Sequence, residues 1–82
     1  MNRTLNALRP GESAFVEAVS QEGERNMMAR LMDIGLTGGA RVACLFAAPS
    51  GEPRAYWIRG AVIALRRKDA EKVYLREEGE TA

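Results

Sequence analysis

Histidine is absent from this chain and cysteine occurs once, at Cys44. Side-chain catalysis needs converging titratable groups; with no histidine, one thiol and no serine in a nucleophile motif, the chain is not expected to be an enzyme. A lone cysteine cannot form an internal disulfide, the usual staple of a small secreted domain. It also has no Cys or His partner for a zinc-type ligand set, so the expected metal ligands and cofactors are none. The glycines form neither a phosphate-binding nor a dinucleotide fingerprint, which argues against GTP binding by the chain itself. Twelve Lys and Arg face eleven Asp and Glu, a formal charge of +1. Such a balance makes no global field for nucleic acid or an anionic membrane, and neither is expected as a partner. No run approaches the roughly 20 apolar residues of a membrane helix, so membrane insertion and a helical pore are not expected. The start reaches Pro10 without the apolar core of a signal peptide, and a cytoplasmic location is the expectation.

What is present suits one small domain spanning 1–82, with a core at about 5–76 and a frayed tail at 77–82. Hydrophobic residues make up 46% of the chain and charged residues 28%, a globular balance. Leu5 and Leu8 lead into a Pro10-Gly11 turn, and Ser13 to Val19 follows with a period of two. Ala14, Val16 and Ala18 share one side, with Phe15, Glu17 and Val19 on the other. From about Glu24 to Ile34 the period becomes helical, with Met27, Leu31 and Ile34 at i, i+4 and i+7 and Met28 and Met32 on the same flank. Gly35 closes that helix and Leu36 returns to the core. Ala40 to Ala48 alternates again, Val42, Cys44 and Phe46 against Arg41, Ala43 and Leu45. The turn formers of Pro49 to Pro53 reverse the chain into Arg54 to Arg59, where Tyr56 and Ile58 set the inward phase. Gly60 precedes Val62 to Arg67, with Ile63 and Leu65 inward; Lys68 to Glu71 suits one helical turn, and Lys72 to Arg76 a last strand. The expected fold class is mainly β, a small barrel of about five strands with one short α-helix after the first, closed to remove its edges.

From Leu5 to about Leu75 the chain resembles the FeoA family. The residues that carry the likeness are Leu8-Arg9-Pro10-Gly11-Glu12 with Val16, then Arg30-Leu31-Met32-Asp33-Ile34-Gly35-Leu36 with Gly39. Ala48-Pro49-Ser50-Gly51-Glu52-Pro53 and Ile63-Ala64-Leu65-Arg66 with Asp69-Ala70 complete it. Gly38, Ser50 and Glu52 depart from the family's common Pro, Leu and Asp. The resemblance implies an SH3-like barrel, with Pro10, Gly11, Leu31, Gly35, Gly39, Pro49, Gly51, Pro53 and Leu65 as structural motif positions. It further implies a cytosolic accessory role beside the ferrous-iron permease FeoB, whose cytosolic GTPase region is the implied partner. The same barrel resembles the C-terminal domain of DtxR-type iron-dependent repressors, so a standalone regulatory module is the alternative. Weak self-association also stays open.

The candidate binding residues are Trp57, Tyr74, Arg59, Met27 and Met28. Trp57 lies out of phase with Tyr56 and Ile58, and Tyr74 out of phase with Val73 and Leu75. An outward aromatic pair flanked by Arg59 or Arg76 has the composition of a protein-binding hot spot. The plainer reading places Trp57 across a barrel end or under the Pro49–Pro53 turn, and both stand. One of Met27 and Met28 is expected outward as an adaptable contact, while Leu31 and Ile34 pack inward. Cys44 is read as a buried small hydrophobe. Arg66-Arg67-Lys68 is read first as a solvated turn, and otherwise as a contact for an acidic patch or a nucleic-acid phosphate, and Glu22, Glu24 and Asp33 are surface carboxylates of little weight as iron ligands.

Overall fold

The structure, a computed structural model, describes residues 3–20, 22 and 25–76. The expected helix start at Glu24 and the expected tail at 77–82 lie outside the described residues. Five strands, β1 (Ser13–Val19), β2 (Arg41–Ala47), β3 (Arg54–Ile58), β4 (Ala61–Leu65) and β5 (Val73–Leu75), form one antiparallel sheet in the order β4-β3-β2-β1-β5. Helix α1 (Arg25–Asp33) follows β1, and a single turn, α2 (Arg67–Ala70), joins β4 to β5. A 3-10 turn at Leu5–Ala7, unforeseen from the sequence, precedes β1 and buries Leu5.

Two register breaks let so few strands curl around a core. β1 pairs with β2 through Ser13, Ala14 and Phe15, then with β5 from Val16 onward, its register shifting between Val16 and Ala18. β2 shifts against β3 between Cys44 and Phe46. An inserted residue bends a strand and increases its twist. It also reverses the phase of everything beyond it. The strict alternation expected from the sequence therefore fails in two places. Ala18 is exposed while Val19 packs on the core, and Phe46, expected inward with Val42 and Cys44, is 61% exposed.

The core collects Leu5, Leu8, Val16, Leu31, Leu36, Val42, Cys44, Tyr56, Ile58, Leu65, Val73 and Leu75. Helix α1 contributes one fully buried residue, Leu31, and ends in a Schellman closure. The Leu36 N–H donates to the Leu31 carbonyl at 3.1 Å and the Gly35 N–H to Met32 at 3.0 Å, with Gly35 at φ +104°. This arrangement satisfies end carbonyls and seats Leu36 against Leu31. At the Pro10-Gly11 turn, the Glu12 N–H donates to Arg9 and its carboxylate accepts from the Arg9 N–H at 2.8 Å.

The mainly β architecture of five strands with one short helix after the first is the one expected, but one edge of the sheet is left open. No ladder joins β4 to β5 among the described residues; the gap between them is crossed by α2.

Leu36→Ala is expected to cost about 2–5 kcal/mol in urea unfolding, the range for emptying a sealed aliphatic site. A Cβ at Gly35 would meet Arg59 Cδ at 2.6 Å and sit at a positive φ. Gly35→Ala should therefore cost at least about 1 kcal/mol. The loss should persist in an Arg59→Ala background, because deleting the arginine clears the clash and leaves the backbone strain.

Candidate functional site

The residues with unusual chemistry fall into three places: an outward sheet face, a groove beside α1, and a cleft between α1 and α2. The outward face follows from the register. Val62 on β4 lies opposite Trp57 on β3, Trp57 opposite Ala43 on β2, and Ala43 opposite Ser13 on β1. Trp57 is 36% exposed and Val62 63%, with Leu45 and Phe46 also open to solvent. Ala55, in phase with Trp57 and opposite Phe46, is nonetheless buried and is not part of the main core. The outward phase of Trp57 is what the alternation of β3 demanded; it lies on the sheet rather than across an end of the barrel.

The expected aromatic pair is not assembled. Tyr74 is exposed on β5, opposite Ala18 at the far end of β1, with β2 and β1 between it and β3. Nor does Arg59 flank Trp57 as a free cation. Its Nε donates to the Gly35 carbonyl at 3.1 Å and Nη2 to Thr37 Oγ1 at 3.0 Å. The tight turn puts Arg59 at φ +49° and swings its side chain across the end of α1. Arg76 lies 5.9 Å from the centroid of the Phe15 ring, and its Nε sits 3.7 Å from Glu17 Oε1.

Met27 and Met28 are half-buried, and Met27 packs against the core. The outward methionine is Met32, 48% exposed, where Met27 or Met28 was expected. Leu31 fixes the inward direction of α1, and its next neighbour along the chain is rotated about 100° away from it. Met28, Met32 and Leu36 line one wall of a groove of about 210 Å³, with Glu17, Ala18 and Val19 of β1 along the other.

The third place is a cleft of about 580 Å³. Asn26, Met27 and Arg30 of α1 face Ala64, Arg66 and Lys68 across it, with Asp69 at its base. Arg30 Nη2 donates to Asp69 Oδ2 at 2.8 Å, tying α1 to α2. Asp69 is only 6% exposed, and its Oδ1 is buried with no hydrogen-bond partner. Arg66, Arg67 and Lys68 are all exposed, and the Arg67 N–H donates to Glu52 Oε1 at 3.0 Å.

Behind the sheet, Cys44 and Tyr56 are cross-strand neighbours in the core. Arg54 lies beside them, its Nη1 donating to the carbonyls of Asn6 and Leu8 and so tying the 3-10 turn to the β2–β3 hairpin. No hydrogen bond of good geometry reaches the Tyr56 hydroxyl, although the Arg54 guanidinium is near. Sequence reasoning missed Arg54 even though the inward phase of Tyr56 and Ile58 also places Arg54 inward, and a charge in that phase was the available signal. Among the described residues no three His, Cys, Asp or Glu converge as a metal-binding group. Glu22 and Asp33 are exposed at separate points of the chain, and Glu24 lies outside the described residues. No described helix is long and apolar enough to cross a membrane.

A family model described as the FeoA domain matches residues 3–77. Among solved structures, FeoA of Stenotrophomonas maltophilia, crystallised with zinc and described as a prokaryotic SH3 domain protein, is 29% identical. That match has a TM-score of 0.81 and covers 90% of this chain and 89% of the other. FeoA of Chlorobium tepidum is 33% identical with a TM-score of 0.81, over 95% of this chain and 76% of the other. A manganese-dependent transcriptional repressor is 22% identical with a TM-score of 0.78, over 89% of this chain and 40% of the repressor, a likeness of fold alone. A comparison with curated proteins returned no match.

Burial pushes the Cys44 thiol above its ordinary 9.0, with Arg54 opposing and Glu12 adding to the rise. Burial also pushes the Tyr56 phenol above its ordinary 10.0, with Cys44 adding and Arg54 opposing. Both groups are held neutral in the folded state, so their contribution is complete below the unfolded values and lost as pH rises through the folded ones. The thermal midpoint should therefore fall once the pH passes about 9, and Cys44→Ala should make the first part of that fall shallower.

Proposed function

The chain belongs to the FeoA domain family, and from that premise we propose that it is a non-enzymatic accessory protein of ferrous-iron uptake. It acts by binding the cytosolic GTPase region of a FeoB-type permease. The observation that carries this reading is the outward sheet face. Trp57, Val62, Leu45 and Phe46 stand in the open on a chain whose other large apolar residues are mostly sealed. Contiguous exposed apolar side chains on a small soluble domain mark interaction surfaces, and tryptophan is among the residues most enriched in binding hot spots. Arg59 is engaged on Gly35 and Thr37 and Arg76 lies beside Phe15 and Glu17, while the exposed Arg41, in phase with Ala43, borders the face, which is otherwise apolar around Trp57 and Val62. Binding changes a partner's activity only when one conformer is bound more tightly than another. A surface of this size suits that role without any chemistry of its own. The rival reading, a regulatory module like the corresponding domain of manganese-dependent repressors, has likeness of fold alone in its favour.

Co-purification with the cytosolic region of a FeoB-type permease is the test. The wild-type chain should be retained, and Trp57→Ala should weaken retention by about tenfold or more, the loss typical of a hot-spot residue. Retention of the variant equal to wild type would remove the outward face as the contact.

A further inference from the structure

Strand β4 is the one strand of the described sheet with an uncovered side. β1, β2 and β3 each lie between two neighbours. β5, at the other end of the order, is covered: Thr4 bridges to Tyr74, and the Leu75 N–H donates to the Arg3 carbonyl at 2.7 Å. Among the described residues no hydrogen bond reaches Ala61–Leu65 from the side away from β3.

The β3–β4 turn fixes which groups face outward there. Arg59 and Gly60 make a two-residue loop with positive φ at both positions, so Ile58 and Ala61 are the first mutually bonded pair. Bonded and non-bonded pairs alternate along an antiparallel ladder. Ile63 and Leu65 therefore bond back to Tyr56 and Arg54, while the N–H and C=O of Val62 and Ala64 point away from the sheet. Edge strands are ordinarily blunted by lysine, proline or an inward-turned charge. This one reads Ala-Val-Ile-Ala-Leu and has none of them.

The 580 Å³ cleft opens alongside the same edge, since Ala64 belongs to both. Its rim carries Arg66 and Lys68, neither in an ion pair among the described residues, and Arg30, already held by Asp69; Glu52 and Glu71 share a smaller neighbouring cleft with Arg66 and Lys68 and do not line this one. An open strand edge beside an electropositive cleft selects for an extended chain carrying negative charge. We propose that an acidic, extended segment of the partner protein adds to β4 as a further strand. Its main chain pairs with Val62 and Ala64, and its carboxylates meet Arg66 and Lys68. The inference rests on the reading that the chain works by binding a partner protein, and it names the chemistry of the bound segment.

The test uses the full chain, isotope-labelled for NMR, and two synthetic peptides of roughly eight residues, a Val-Glu repeat and a Val-Lys repeat. The acidic peptide should shift the Val62 and Ala64 amide signals and slow their exchange with solvent; the basic one should do neither. Reversing the rim with Arg66→Glu and Lys68→Glu should weaken the acidic peptide by at least about tenfold. Ala64→Pro, tolerated at an edge, should abolish pairing while the rest of the spectrum is kept. If that variant misfolds, the rim reversal alone decides. Equal binding of the two peptides, no binding of the acidic one, indifference to the rim reversal, or amides of Val62 and Ala64 already protected in the free protein would each overturn the proposal. Capture of the permease region by wild type and by the rim-reversed chain alike would sink this inference and leave the proposed function standing. Peptide pairing at β4 without permease capture would do the reverse.

Discussion

One sheet has to enclose the core of this protein, and it can do so only by bending sharply at two points. The breaks at Val16–Ala18 and Cys44–Phe46 are where it bends. The first lets β1 serve two neighbours in succession, β2 and then β5. The second turns Leu45 and Phe46 outward while Cys44 stays sealed. These breaks add bend to the sheet's intrinsic twist, and the sheet has to do most of the enclosing because α1 buries a single residue completely. What the protein offers to other molecules follows from the same bends: an apolar outer face, and one strand edge that the curl does not reach.

The charged side chains divide along the same line. Arg54 holds the segment before β1 against the hairpin, Arg59 clasps the end of α1, and Arg30 joins α1 to Asp69. Each replaces packing that so small a core cannot supply, since a chain of this length buries a modest fraction of its surface. Arg66 and Lys68 take no such part among the described residues. They stand beside β4 as side-chain cations free of any structural bond, although Glu52 and Glu71 border the same run.

Much of the architecture was legible in the sequence. The strand over Ser13 to Val19, the helix ending at Gly35, the turn at Pro49 to Pro53 and the outward phase of Trp57 were all written in periodicity and turn chemistry. So was the return of Leu36. The inversions at Ala18 and Phe46 were not, because a bulge inserts a residue without a compositional mark, and every residue beyond it changes side. The scattering of Trp57, Tyr74 and Arg59 was equally hidden: phase tells which side a residue faces, and only strand order tells what stands next to it. The inward roles of Arg54 and of Asp69, the latter named only for the family likeness, were not legible because polar residues are read as solvated until their partners, carbonyls and a distant guanidinium, are seen. The family likeness anticipated the barrel and carried no information on which edge would be left open.

The chain has one tryptophan, and it stands directly across from Val62, one strand in from the uncovered edge. Indole emission depends on the polarity of its surroundings, and a ring about one-third exposed sits where either drying or further wetting would register. The protein consequently carries a built-in optical probe at its most accessible face. Its occupancy can be followed by intrinsic fluorescence in unlabelled material, with no competing indole elsewhere to blur the signal.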